Sequence, residues 1–103
     1  MDDETGLAEL IEAAAVMVGE VTTADQTGTT DYRRAGRAFV AVSGAVVEFR
    51  LQPEVAEAAQ RTADAGPSTR GHEWVRFAPA DLNQHARDRI EAWFLSAWRA
   101  AAG

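Results

Sequence analysis

Two apolar runs, Arg37-Ala38-Phe39-Val40-Ala41-Val42 and Ala45-Val46-Val47-Glu48-Phe49-Arg50-Leu51, flank Ser43-Gly44. Runs rich in β-branched and aromatic residues on either side of a short glycine-containing turn specify a β-hairpin. The turn sets the register, and register decides which side chains share a face. With Ser43-Gly44 at the tip, Val42 opposes Ala45, Val40 opposes Val47 and Ala38 opposes Phe49. These six are uniformly apolar and form the expected core face. The other face pairs Ala41 with Val46, Phe39 with Glu48 and Arg37 with Arg50. A four-residue loop keeps this parity, whereas a three-residue loop changes it.

The segments around the hairpin follow from periodicity and breakers. Leu7, Leu10, Ile11, Ala14 and Val18 recur at helical spacing and predict a helix over 6–19, capped by Thr5 and ended by Gly19. Residues 22–30 are polar and threonine-rich and read as a loop with room for a short strand; their hydroxyls also suit a ligand loop, but a solvated connection is the simpler reading. A strand around Asp31–Ala35 leads into the hairpin, with Gly36 as a bend or bulge. Pro53-Glu54 opens a second helix that runs to about Ala65 on a thin stripe of Val55, Ala58, Ala59 and Thr62. Residues 66–71 carry Gly66, Pro67 and Gly71 and read as a loop. Residues 73–77 alternate as a strand, with Val75 and Phe77 toward the core and Trp74 and Arg76 on the other face. The last helix spans about Asp81–Ala101, with Asp81 as N-cap. Leu82, Ala86, Ile90, Trp93, Phe94 and Ala97 give it the widest apolar stripe in the chain. Replacing Trp93 by alanine there should cost about 3–5 kcal/mol.

The 103 residues suit one domain over 1–103, and 47% hydrophobic with 25% charged composition fits a folded chain. The absence of cysteine excludes disulfide scaffolds, thiolate metal sites and cysteine nucleophiles. No run approaches the ~18 apolar residues of a membrane span, and Met-Asp-Asp-Glu is no signal peptide. A cytoplasmic location without membrane attachment is expected. The net charge of −6 opposes whole-molecule attraction to nucleic acid or anionic lipid. That charge is segregated: Asp2, Asp3, Glu4, Glu9, Glu12 and Glu20 precede any basic residue, and all ten basic residues are arginine.

Catalytic groupings are sparse. His72 and His85 lack any metal-ligand spacing, and neighbouring His72 and Glu73 would point to opposite faces of a strand. Ser43, Ser68 and Ser96 sit in no nucleophile elbow or phosphate loop. No metal or cofactor is implied, and a non-enzymatic chain is expected. An enzyme would need His85, Asp81 and a hydroxyl from the 22–30 loop to converge. The set Arg37, Phe39, Arg50, Trp74 and Arg76 differs, because alternation assigns all five to one sheet face. Arginine with aromatics suits a phosphate backbone, stacked bases or a protein partner, a second copy included. Alternatively the arginine stems simply cover the sheet, with Glu48 or an anion bridging Arg37 and Arg50.

Three blocks in order resemble the MmcQ/YjbR-like group, which takes in the N-terminal domain of the TfoX competence regulators. They are Gly36-Arg37-Ala38-Phe39-Val40-Ala41-Val42, then Val46–Glu54 with its basic residue and Pro-Glu helix start, then Glu73-Trp74-Val75-Arg76-Phe77 before a long helix. Arginine stands where that group has lysine. The resemblance covers about Asp31 to Ala100 and implies an antiparallel sheet with helices packed against it. It also implies DNA binding, which carried onto this sequence falls on Arg37, Arg50 and Arg76. Residues and resemblance together predict an α+β fold: a small hairpin-based antiparallel sheet of about four strands with helices on one face.

Overall fold

The computed structural model describes residues 3–102, with side chains from Gly6 onward. In chain order the elements are α1 (Asp3–Val18), β1 (Thr22–Gln26), β2 (Thr29–Arg34), β3 (Arg37–Ser43), β4 (Val46–Arg50), α2 (Pro53–Ala59), β5 (Ala65–Ser68), β6 (Gly71–Phe77) and α3 (Gln84–Ala102). The strands form one antiparallel sheet in the order β1-β2-β3-β4-β6-β5, and residues of all three helices enter a single core against it. The fold is the α+β arrangement expected, with six strands where about four were foreseen.

Both extra strands arise from segments read as loops. Residues 22–30 fold as a hairpin in which Gln26 pairs with Thr29 around Thr27-Gly28, since β-branched threonines favour extended backbone. β5 pairs Pro67 with Val75 despite its breakers. It can do so because it is an edge strand, where a missing N–H leaves no neighbour unpaired. α2 ends at Ala59, short of the expected Ala65, and turns Ala56 and Ala59, not Ala58, to the core. α3 starts at Gln84, where the Asn83 carboxamide oxygen accepts the Ala86 N–H at 3.0 Å. The cap is therefore Asn83 and not Asp81.

The β3–β4 turn lies one residue beyond its expected place. Ser43 pairs with Val46 around Gly44-Ala45, and Gly44 takes the positive φ of 58° that glycine adopts without strain. Val40 thus meets Phe49 and Val42 meets Val47. Parity is preserved, so these four stay on the core face while Ala45 moves to the exposed tip.

A bulge changes the outcome for Phe39. Tyr32 pairs with Val40 but Arg33 pairs with Ala38, leaving Phe39 unpaired between them. Consecutive residues at a bulge turn to the same side, so Phe39 joins Val40 beneath the helices and is fully buried. Its assignment to the exposed face is overturned. Arg37, two residues earlier on that same side, lies opposite Arg34 at the end of the β2–β3 hairpin and is exposed. It too is absent from the open face.

α3 seats on the sheet through two neighbouring aromatics. Phe94 lies edge-on to Phe39 at 5.3 Å and to Tyr32 at 6.4 Å. Trp93 lies edge-on to Phe77 at 5.1 Å and to Phe49 at 5.9 Å. Such edge-to-face pairs add about 0.5–1.5 kcal/mol each beyond the area they bury. The far end is fixed by Arg34, stacked on Trp98 at 3.5 Å and donating to the Trp98 carbonyl at 2.8 Å. The Trp98 indole in turn donates to the carbonyl of Gly19 at 3.1 Å, fastening the end of α1.

Phe94→Ala should cost about 3–5 kcal/mol in urea denaturation, and Trp93→Ala, partly exposed, should fall in the lower part of that range. A second expectation concerns Tyr32, 4% exposed. Burial raises its phenol above the ordinary value of 10.0, and the Glu12 and Asp25 carboxylates push the same way. The unfolded chain therefore ionises first as pH climbs past that value, and stability is lost from there up to the folded value. With one tyrosine and neither lysine nor cysteine, no other side chain titrates between about pH 9 and 11. Urea stability should fall across that alkaline window in the wild type and hold level in Tyr32→Phe.

Candidate binding surface

The sheet face away from the helices is laid out by register. One row across it runs Ala24, Asp31, Ala41, Glu48, Arg76, Gly66, and a second begins with Arg50 beside Trp74. Of the five side chains assigned to this face, Arg50, Trp74 and Arg76 lie on it, whereas Phe39 and Arg37 do not. Trp74 and Arg50 are partly exposed and Arg76 is exposed.

The organising cation is Arg70, in the β5–β6 turn. Its Nε meets Glu48 Oε1 at 3.0 Å, and its terminal nitrogen meets Asp31 Oδ1 at 3.3 Å. Ala41 lies between the two carboxylates in the row, and its small side chain is buried there. The Ser68 hydroxyl hydrogen-bonds the other oxygen of Glu48 across β6. From the β5–β6 turn, Arg70 thus joins carboxylates of β4 and β2 across the open face of the sheet.

Pairing continues outward from this bridge. Arg33 approaches Asp31 at 3.9 Å, and Arg50 meets Glu73 at 3.3 Å. Asp31, only 7% exposed, is the one charged residue among the described residues that the fold buries. Arg76 makes no ion pair among the described residues, although Glu48 is its register partner. The expected bridge from Glu48 to Arg37 and Arg50 does not form: Glu48 meets Arg70, and Arg50 meets Glu73.

At the end of the face, Arg50, Arg70, His72 and Trp74 border a shallow hollow of about 600 Å³. The Arg70 guanidinium lies 5.1 Å from the Trp74 ring centre, within cation–π range. Trp74 is thus held between a register-paired arginine and a stacked one. Chemically the arrangement offers an aromatic face with adjacent guanidinium donors, suited to a carboxylate beside an apolar group.

His72 is exposed at the start of β6, and His85 is exposed in the first turn of α3. Among the described residues no three histidine, aspartate or glutamate side chains gather as a metal site. Among them, too, no helix is long and apolar enough to cross a membrane. Compared with known proteins, the chain matches no protein-family model, no curated protein and no solved structure.

Arg70→Ala should cost about 1–3 kcal/mol, because it leaves buried Asp31 only the Arg33 contact at 3.9 Å and partly buried Glu48 only the Ser68 hydroxyl. Arg70→Lys should recover only part of that, since an ammonium cannot fork to both carboxylates. Arg61→Ala, which removes only the exposed pair with Glu57, should stay within about 0.5 kcal/mol. Urea denaturation of the three variants at neutral pH checks all of this.

Proposed function

We propose that this chain is a cytoplasmic, non-enzymatic binding module that engages a protein partner through the Arg50–Trp74–Arg76 end of its open sheet face. The observation that carries the reading is Trp74 itself, partly exposed, paired in register with Arg50 and stacked by Arg70. Tryptophan and arginine are the residues that most often anchor protein interfaces. The stacked guanidinium holds the indole in place, so little order is lost on binding. Arg76 supplies a cation without an internal partner among the described residues, which fits a partner segment carrying Asp or Glu beside apolar side chains.

The MmcQ/YjbR-like resemblance favours DNA instead. Phosphate-backbone binding rests on a surplus of cations whose counterions are released. Here Asp31, Glu48 and Glu73 already face Arg33, Arg70 and Arg50, and Arg37 stands away from the open face. The balance of charge on this face supports a protein partner over a polyanion.

A peptide-display selection on the immobilised chain, with Trp74→Ala as counter-target, should enrich acidic segments with apolar neighbours. Recovered peptides should weaken about tenfold or more against Trp74→Ala and against Arg76→Ala. Labelled single- and double-stranded DNA should bind the wild type no better than the Arg37, Arg50, Arg76 triple alanine variant. DNA binding lost in that variant, and falling with salt by nearly one log–log unit per phosphate contact, would replace the protein reading with the nucleic-acid one. A dimeric mass in light scattering that disappears in Trp74→Ala would identify the partner as a second copy.

A further inference from the structure

The six residues Ala13–Val18 at the end of α1 are all apolar. Six consecutive helical residues sweep every direction around the axis, whereas a surface helix ordinarily needs an apolar stripe on one side only. The sheet and α3 take up Leu7 and Ile11, which are fully buried. The surplus points outward, with Val16 79% and Met17 86% exposed. Scattered single apolar side chains need no explanation, but these two form a ridge with a concavity on each flank.

On one flank, α1 and α3 enclose a groove of about 370 Å³ lined by Leu10, Ala14, Met17, Phe94 and Leu95, with Glu91 at its margin. Leu10, Ala14 and Met17 follow helical spacing, so this groove runs along two turns of α1, the shape into which a third helix packs. On the other flank, α1, β1 and β2 enclose a cleft of about 640 Å³ containing Glu12, Glu20, Asp25 and Tyr32, with Val16 on its edge. Arg34 pairs with Glu20 at 3.0 Å. Glu12 and Asp25 have no cationic partner among the described residues. The chain carries no basic residue before Arg33, so nothing else on α1 or β1 offsets this charge.

We propose that the outer face of α1 docks a basic amphipathic helix of a partner protein. Its apolar side chains enter the α1–α3 groove over Met17, and its Lys or Arg side chains reach past Val16 to Glu12 and Asp25. Charge complementarity selects this occupant. A second copy of α1 would set carboxylates against carboxylates, and a small cation alone would leave the apolar ridge uncovered. The surface lies on the helix side of the sheet, opposite the open face, and the proposal is independent of that face's role.

The test uses the full chain and a synthetic helical peptide of leucine and lysine, about 14 residues or four turns long, with a leucine–glutamate counterpart as control. The leucine–lysine peptide should bind, and the counterpart should not. Affinity should fall about tenfold or more in Val16→Ser/Met17→Ser, which alters only exposed side chains, and severalfold in Glu12→Gln/Asp25→Asn. Equal binding to the wild type and Val16→Ser/Met17→Ser would overturn the proposal. So would equal binding of both peptides, or spermidine binding as tightly as the peptide. A dimeric mass dissolved by Val16→Ser/Met17→Ser would overturn it in favour of self-association. Urea stability of each variant, expected to match the wild type, separates lost docking from lost folding.

Discussion

The seating of α3 on the sheet is the contact on which the remaining architecture depends. Trp93 and Phe94 are neighbours, so they diverge by roughly 100° around the helix and enter different parts of the core. Phe94 occupies the β2–β3 side and Trp93 the β4–β6 side. One helix thereby fixes the relative position of strands that are distant along the chain. The Phe39 bulge is the other half of this arrangement, because it delivers an extra aromatic beneath the helix where strict alternation would have turned it outward.

The two faces of the sheet differ in electrostatic character because different residues occupy them. The open side gathers arginines from β2, β4, β6 and the β5–β6 turn around three carboxylates, and most of its charge is settled internally. The helix side carries the uncompensated acidity of α1 and β1 beside apolar side chains. The overall charge of −6 is thus an average over two unlike surfaces. Partners sort by which surface they meet, and net charge alone predicts neither.

Much of the fold was legible in the pattern of residues. The β3–β4 hairpin, the β6 strand and the long terminal helix follow from alternation, turn glycine and a broad apolar stripe, because their core contacts repeat at regular intervals. Hairpin parity survived a one-residue error in the turn, since moving the turn by one residue moves partners by two. What alternation could not show was the bulge, which depends on how β2 pairs and not on β3 itself, and it cost the placement of Phe39 and Arg37. Arg70 was hidden for a different reason. It sits in a turn full of breakers and acts across several strands, so its role exists only once the strands are paired. The charges at Asp31 and Glu48 were visible in the sequence, but their shared partner was not. β5 was missed, and β1 foreseen only as room for a short strand in a loop, because polar or breaker-rich composition is depleted in strands, a rule that edge positions relax.

Those two strands are also the sheet's free margins, and their chemistry bears on how the molecule meets others of its kind. An unpaired margin is a template onto which another chain can add a strand, the route to uncontrolled polymer growth. Here one margin is made of threonine, aspartate and glutamine, and the other contains Gly66 and Pro67, whose backbones hold a partner strand poorly. Recognition by main-chain addition is thereby discouraged at both ends. Specific contacts at these margins are therefore left to side chains.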